Sequence, residues 1–490
     1  MPSVSLCMIV RNEADCLRDC LESVQSVVDE IIVVDTGSTD QTLEIARQYG
    51  ACCFQAEWQN DFAKMRNRSL EHATKDYILV LDADERLLPE SREELRKCLE
   101  TFPMADGFFV HILNQTDGEG IEEMEVSLNV RLFRNEPRYR FSAALHEQIA
   151  ESILRGQPPG TIFDSKIRIL HSGYLKKNVQ QKQKAQRNLA IALEECKRHP
   201  GDAFRAFNLG IEYMRLQQLP QAIEAFEFAR QWCKRDALWV SRFFKIYIST
   251  LMQCGNWEQA NVLLTEALAI FPDYTDLYYL QGVYHFQHGQ WNEALQNFGH
   301  CIQIGDPPIP PYTVEKGIST YRPYFAMGQV FQSSGRKVEA IVAYREAFQL
   351  NPRFAQAFVR FAVLLLAESA DAGTLAYMEQ VAAAAGENRH AWIGMALAAA
   401  NHFVKAKEYL ESVPDPQRVA EQLAVVYACL NEQEKLFRLL QDCDPHGAIR
   451  MQVRKHLLET GQRILETGLQ RFPESEALQT LSLEYKKMLP

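Results

Sequence analysis

The 490-residue sequence lacks a surplus of basic side chains, because 63 acidic residues outnumber 52 Lys and Arg and give a formal net charge of −11. A general nucleic-acid binder normally carries a basic excess, so this class of function is excluded, although a few local donors could still bind a nucleotide phosphate. The sequence has no apolar run of the roughly 18 to 20 residues that cross a bilayer, and no basic segment precedes an apolar one at the amino terminus. We therefore expect neither a membrane span nor a signal peptide.

Paired cysteine motifs are also absent. The 12 cysteines include no CxxC pair, and neither Cys16 with Cys20 nor Cys52 with Cys53 has a nearby histidine that would complete a zinc site. Scattered cysteines of this kind are typical of reduced thiols, and the sequence therefore predicts a cytoplasmic protein.

Short apolar strands alternate with helical segments up to about residue 175. Candidate strands cover residues 4–10, 31–34 and 77–81, and candidate helices cover 15–24 and 42–49. This alternation predicts a parallel sheet with crossover helices. Ligands of such sheets bind at the carboxyl ends of the strands, where Asp35 and Asp82 are expected.

Internal repetition begins at about residue 200. In three units an alanine follows a glycine by 12 residues: Gly210 and Ala222, Gly282 and Ala294, Gly328 and Ala340. The pattern resembles the tetratricopeptide repeat, a helix–turn–helix whose small residues let two helices approach closely. A proline-rich insert near 306–312 interrupts the register, and degenerate units are expected from Gly394 to the carboxyl terminus. An α-helical domain without true repeats is the alternative.

Four motifs in order resemble family 2 glycosyltransferases of the GT-A fold. They are SLCMIVRNEA at residues 5–14, VVDTGSTD at 33–40, AKMRNRSL at 63–70 and LVLDADE at 79–85. Together with the repeats, they resemble bacterial glycosyltransferases that modify peptides or proteins, including the S-glycosyltransferases of glycosylated bacteriocins. The resemblance implies an α/β GT-A domain with a mostly parallel, Rossmann-like sheet at residues 1–175. A connecting helix at 176–199 and an all-α tetratricopeptide-like solenoid at 200–490 would follow it.

A metal site is predicted at Asp82 and Asp84, which follow an apolar strand. Paired carboxylates suit Mn²⁺ or Mg²⁺, and a divalent cation would neutralise the charge on a departing diphosphate. By resemblance to the family's DxD motif, Asp84 would bind the metal directly, whereas Asp82 would face the ribose or the metal. His171 would add an imidazole ligand. The alternatives are a solvated acidic cap for the two aspartates and a structural role for the histidine.

A nucleotide-binding role is predicted for residues near the first two strand ends. The resemblance assigns Asp35 to the nucleotide base, although Asp35 also suits a turn. Asn12 and Glu13 would line the nucleotide pocket, with a charge at a helix amino terminus as the alternative for Glu13. Arg66 could approach the base or a phosphate, or it could form a structural salt bridge.

The catalytic base is the least defined part of the site. An inverting transferase needs a carboxylate that deprotonates the attacking acceptor, and Glu147 is the candidate, with His146 as second choice or as its positioning partner. A structural ion pair is the alternative. The loop at 115–125, a potential lid or an ordinary exposed loop, offers further carboxylates: Asp117, Glu119, Glu122 and Glu123.

The resemblance implies a metal-dependent, inverting hexosyltransferase that moves a sugar from a nucleotide sugar, with UDP expected, to a peptide or protein presented by the repeats. The array could also link two copies in a homodimer. One alternative is a lipid-linked or cell-wall glycan as acceptor. A nucleotidyltransferase is another, but residues 5–14 lack its glycine-rich basic loop. The last is a non-catalytic scaffold with a vestigial α/β domain, against which the intact Asp35, Asp82 and Asp84 count.

Overall fold

The computed structural model describes residues 2–114, 125–171, 178–235, 237–306, 312 and 314–443. The chain divides into two compact units, one of Met1–Tyr284 with Gln303–Ile318 and the other of His285–Ile302 with Ser319–Pro490. The potential lid at 115–125 and any repeats beyond residue 443 lie outside the described residues, apart from Glu125, where a strand begins. The domain limits expected at residues 175 and 199 stay predictions.

The first unit contains a mixed eight-stranded sheet with the order β3-β2-β1-β4-β7-β6-β8-β5. Its strands are β1 (Val4–Val10), β2 (Glu30–Asp35), β3 (Cys52–Gln55), β4 (Tyr77–Val80), β5 (Glu85–Leu87), β6 (Gly107–Asn114), β7 (Glu125–Arg134) and β8 (Ile162–His171). The pairs β1–β2, β1–β4, β2–β3 and β6–β8 are parallel, whereas β4–β7, β6–β7 and β5–β8 are antiparallel. The mostly parallel α/β fold expected from the sequence is confirmed.

Helices cover the sheet, and their apolar faces complete its core. They are α1 (Leu17–Val24), α2 (Thr42–Gln48), α3 (Phe62–Leu70), α4 (Pro89–Thr101) and α5 (Ala150–Leu154). One core cluster joins α1 and α4 to alternate residues of β1, β4 and β6, including Leu21, Leu79 and Leu95, all fully buried. Asp61 caps the amino terminus of α3, because its carboxylate accepts a hydrogen bond from the amide of Lys64 at 2.8 Å.

The remaining described elements are helical. They are α6 (Asn178–Arg198), α7 (Ala203–Arg215), α8 (Leu219–Trp232), α9 (Val240–Gln253), α10 (Trp257–Ile270), α11 (Thr275–Gln287), α12 (Trp291–Ile304), α13 (Tyr321–Ser333), α14 (Lys337–Leu350), α15 (Ala355–Leu366), α16 (Ala372–Ala382), α17 (Arg389–Ala399), α18 (Phe403–Glu411), α19 (Ala420–Cys429) and α20 (Gln433–Cys443). None of these described helices has the length and hydropathy needed to cross a bilayer.

Three glycines explain the repeat pattern, because each lies against a large side chain of the next helix. We call these contacts the seam pairs: Gly210 with Phe226, Gly328 with Tyr344 and Gly394 with Leu410. A Cβ atom on the glycine would lie 2.2, 2.6 and 2.6 Å, respectively, from its partner's side chain, closer than packed atoms can approach. Ala222, Ala340 and Ala406, each 12 residues after one of these glycines, are fully buried in the same helix pairs. The close helix approach expected from the sequence is therefore confirmed for the units of Gly210 and Gly328.

Candidate active site

The candidate site lies where β2, β1 and β4 end side by side. Val10 of β1 is in register with Asp35 of β2, and Cys7 of β1 is in register with Val80 of β4. Asp35 is only 1% exposed, and its carboxylate accepts hydrogen bonds from the amides of Gly37 at 3.3 Å and Ser38 at 3.1 Å. It therefore fills the turn role considered from the sequence, and its role toward a nucleotide base stays a prediction.

Asn12 and Glu13 join the loop after β1 to the loop after β2. The side-chain oxygen of Asn12 accepts a hydrogen bond from the amide of Thr39 at 2.8 Å, and Asn12 itself adopts a positive φ of 55°. The amide of Glu13 donates to the hydroxyl of Thr42 at 2.8 Å. These bonds give both residues a structural role at the edge where a nucleotide was predicted to bind.

Arg66 lies between two carboxylates of the predicted site. Its Nη2 is 2.7 Å from Oδ1 of Asp82, and its Nε is 2.5 Å from Oε1 of Glu147. Arg66 is 4% exposed, and its Nη1 is buried without a hydrogen-bond partner among the described residues. The structural salt bridge considered from the sequence is thus present, and it brings the predicted base next to the DxD motif.

Arg131 and Glu85 complete this group, although sequence reasoning did not single them out. Nη2 of Arg131 is 3.1 Å from Oδ2 of Asp82 and 2.7 Å from Oε1 of Glu85. Glu85 lies inside the LVLDADE motif, but its pairing with Arg131 joins strands far apart in the chain. We call the five residues the edge cluster: Arg66, Asp82, Glu85, Arg131 and Glu147.

Burial and charge act in opposite directions in the edge cluster. Burial disfavours ionised Asp82, but Arg66 and Arg131 outweigh it and hold the pKa of Asp82 well below its ordinary value. For Glu85, burial prevails over Arg131, and the nearby Asp82 adds to it, so the pKa of Glu85 is raised. The two arginines therefore keep Asp82, the first aspartate of the DxD motif, ionised, whereas Arg131 does not offset the burial of Glu85.

Asp84 and His171 lie close together at the end of β8. Oδ1 of Asp84 is 3.7 Å from Nε2 of His171, and Nδ1 of His171 is 3.0 Å from the side-chain oxygen of Asn114. Burial lowers the pKa of His171, but the nearby carboxylate of Asp84 outweighs it, so that the pKa of His171 is raised. The pairing of β5 with β8, in which Glu85 faces His171, produces this proximity.

Whether the site can bind a divalent cation depends on Asp84 and His171. Among the described residues, no group of three or more His, Cys, Asp or Glu side chains is arranged as a metal site. Asp84 and His171 still offer one oxygen and one nitrogen, both of which suit Mn²⁺. Asp82 differs, because Arg66 and Arg131 already bind its two oxygens. Asp84 and His171 would thus supply two ligands to such a cation, and diphosphate oxygens and water would supply the others.

His146 and Glu147 are neighbours in sequence but have different partners. Glu147, whose side chain is 14% exposed, pairs with Arg66, whereas Nε2 of His146 lies 2.8 Å from Oε1 of Glu212 in α7. The histidine therefore contacts the helical part of the chain and not the neighbouring carboxylate. The alternative bases in the 115–125 loop lie outside the described residues.

Comparison with known proteins agrees with these observations. The family model described as glycosyl transferase family 2 matches residues 5–146, and a tetratricopeptide repeat model matches residues 321–354. A TPR repeat-containing protein of Synechococcus elongatus is 41% identical over 215 residues, which cover 43% of this chain and 52% of that protein. The SPbeta prophage-derived glycosyltransferase SunS of Bacillus subtilis is 27% identical over 239 residues, which cover 46% of this chain and 52% of SunS.

The chain thus spans about half the length of these two relatives. The solved structure of Staphylococcus aureus TarS residues 1–349 with UDP-GlcNAc is 16% identical and covers 59% of this chain and 92% of that chain, with a TM-score of 0.34. A TM-score this low supports no structural argument. Residues 5–146 match the glycosyl transferase family 2 model and residues 321–354 match a tetratricopeptide repeat model, and the sequence motifs, the sheet and the helix seams agree with both matches.

Proposed function

We propose that this chain transfers a sugar from a nucleotide sugar to a peptide or protein acceptor. The observation that carries the proposal is the ion-pair chain from Glu147 through Arg66 to Asp82. It joins a carboxylate suited to proton removal with the DxD motif of a family 2 domain, at the strand edge where ligands of such sheets bind. The cytoplasmic location and a homodimer stay predictions from the sequence.

The donor would bind along the ends of β2, β1 and β4. Asp35 would face the base, and the loops held by Asn12 and Glu13 would shape the nucleotide pocket. Arg66 supports a diphosphate here, because its buried Nη1 has no hydrogen-bond partner among the described residues. UDP is the expected nucleotide, on the strength of the motif resemblance.

Asp84 and His171 would hold Mn²⁺ or Mg²⁺ together with the donor diphosphate. Bound there, the cation would stabilise the negative charge that develops on the leaving nucleoside diphosphate. Asp82 would not bind the cation directly, because both of its carboxylate oxygens are paired with arginines and a metal bond would require it to release one of them. It would then face the ribose, the first of the two roles predicted for it.

The proposed reaction is a direct displacement at the anomeric carbon. The acceptor oxygen or sulfur forms a bond to this carbon while the bond to the diphosphate oxygen breaks, and the nucleoside diphosphate leaves with the electron pair. Glu147 takes the proton of the acceptor, and the anomeric configuration inverts. The helical repeats would present the polypeptide that carries the acceptor group.

Binding of the donor can be tested with a panel of UDP- and GDP-sugars in the presence of Mn²⁺. We expect one donor to raise the melting temperature of the full chain and to release nucleoside diphosphate, and EDTA to abolish both effects. Asp84→Ala should abolish them as well.

Glu93→Ala is the matched control, since Glu93 is exposed on α4 and should not affect donor binding. If no donor stabilises the folded wild-type chain with metal present, the transferase proposal is wrong, and the helical repeats become the main functional element. If Asp84→Ala responds to the donor like the wild type, the metal assignment is wrong.

A further inference from the structure

The loop at residues 141–148, which carries Glu147, has a backbone that its own sequence does not favour. Ala143 and His146 adopt φ values of 71° and 55°, in the left-handed region that residues with a side chain rarely occupy. Ser142 and Gln148 close the loop through two backbone hydrogen bonds of 3.0 Å. Such a conformation persists only where surrounding contacts hold it.

One holding contact comes from α6. Oε2 of Glu195 accepts a hydrogen bond from the amide of Ala144 at 3.1 Å, and the same oxygen accepts a bond from Nε of Arg205 at 3.0 Å. On the opposite side, the carbonyl of Ala144 accepts a bond from the amide of Phe62 at 2.9 Å. Ala144 is therefore fixed between the α/β domain and the helix that follows it.

The second holding contact comes from α7, the first helix of the repeats. Glu212 is fully buried, and its Oε1 lies 2.8 Å from Nε2 of His146 and 2.7 Å from Nη1 of Arg215. Its Oε2 is buried without a hydrogen-bond partner among the described residues. A buried carboxylate with one unpaired oxygen destabilises a helix interface, so a purely structural role would be served better by an apolar residue.

These contacts fix the orientation of the Glu147 side chain. His146 is held by Glu212, and the next residue, Glu147, reaches the opposite way to Arg66 at 2.5 Å. We infer that Glu212 and Glu195 are positioning residues of the transferase, which hold the 141–148 loop so that Glu147 faces Arg66 and the acceptor. The inference rests on the proposed role of Glu147 as proton acceptor. It makes catalysis dependent on two helices that lie outside the family 2 domain.

Hydrogen exchange in the full chain tests the positioning without any assay of activity. In Glu212→Ala, peptides covering residues 141–148 should exchange about tenfold faster or more, since a buried hydrogen bond that holds the loop is lost. Peptides covering residues 36–42, at the end of β2, should be unchanged. Glu224→Ala, at an exposed position of α8, is the control and should leave both segments unchanged. Unchanged exchange at 141–148 in Glu212→Ala would overturn the inference.

Kinetics then separate positioning from a general loss of structure. We expect Glu212→Ala to lower kcat by roughly tenfold to a hundredfold with little change in the KM for the donor, and Glu212→Gln to recover most of it, because an amide oxygen can still accept from His146. His146→Asn tolerates the positive φ but is too short to reach Glu212, so it breaks the contact without altering α7.

The two changes together should lower kcat no further than the worse of the two alone. Additive losses, or losses confined to KM, would overturn the route through His146. A wild-type chain that binds no donor would reject the proposed function instead, and the exchange experiment would still decide whether α7 holds the loop.

Discussion

The seam pairs are buried and the edge cluster is largely so, with Asp82 keeping 34% of its side chain exposed, but their chemistry is opposite. At the strand ends, Arg66, Asp82 and Glu147 are held in ion pairs that desolvate charge. Along the helices, Gly328 and Tyr344 fit together by shape alone. Burial therefore serves two purposes in one chain. Ion pairs in the edge cluster fix the direction of reactive groups at a cost in stability, whereas the seam pairs contribute stability and no chemistry.

The sharpest test of this contrast is Arg66→Met. It leaves Asp82 and Glu147 without their shared cation. Because Asp82 is 34% exposed and keeps Arg131 as a partner, the change should cost about 2 kcal/mol of unfolding free energy. Sugar transfer should fall at least about a hundredfold, as when a preorganised charge is removed from an active site. Urea unfolding at pH 7 and release of nucleoside diphosphate measure the two effects.

Arg68→Met is the matched control for this change. Arg68 lies on the same helix in an exposed pair with Glu71, so its replacement should change the unfolding free energy by less than about 0.5 kcal/mol. Equal losses in the two variants would show that the edge cluster is no different from an ordinary surface pair.

A seam pair should respond in stability alone. Gly328→Ala places a methyl group 2.6 Å from the ring of Tyr344, and such overpacking should cost roughly 1–3 kcal/mol. Gly299→Ala is the opposite case in α12, because a Cβ atom there meets nothing within 4 Å. It should stabilise the helix by up to about 1 kcal/mol.

Thermal unfolding of the two glycine variants should therefore shift in opposite directions, while turnover per folded molecule stays that of the wild type. A destabilised Gly299→Ala would show that helix propensity does not control this region. A loss of turnover in folded Gly328→Ala would show that the seam pairs affect the chemistry.

The smallest expected effect is a pH dependence of stability, which follows from the opposite pKa shifts of two aspartates. Two arginines lower the pKa of Asp82, whereas burial raises the pKa of Asp276 in α11, although Lys245 at 2.8 Å opposes the shift. A carboxyl group whose pKa is raised on folding contributes stability below its unfolded pKa of about 3.9 and loses it as pH rises through the folded value. Relative to Asp276→Asn, the wild type should thus lose stability as pH rises from about 4 to 7.

Urea unfolding across this pH range, with Glu224→Gln as an exposed control, measures the difference. A parallel pH dependence in the wild type and Asp276→Asn would show that Lys245 cancels the burial of Asp276.

Much of the α/β fold was predictable from local patterns. β1, β2 and β4 are apolar runs, and each is followed by the polar residues that the sequence identified. β3 (Cys52–Gln55) was missed because it is a four-residue edge strand with two exposed positions, and β5 (Glu85–Leu87) because three residues show no periodicity. Short strands form where a neighbour offers hydrogen bonds, which a local pattern does not reveal.

The site was predictable in its parts but not in its pairings. Asp82 and Arg66 were named from motifs and Glu147 as a candidate base, yet nothing local indicates that the arginine would lie between the two carboxylates. Such contacts depend on the strand order and on loops that meet from distant parts of the chain. The contact between His146 and Glu212 was hidden for the same reason, because it joins a loop of the sheet domain to a helix of the repeats.

The strand order also decides at which point of synthesis the contacts of the candidate site can form. β5, which directly follows the DxD motif, pairs with β8, so the motif gains its neighbour only after residue 171 has left the ribosome. The contact of His146 must wait further, until Glu212 has emerged. Chains fold from the amino terminus as they are made, and the first strands are ready long before these last partners. A nascent chain thus passes through a stage in which β1 to β4 have been synthesised and the partners of the reactive edge have not.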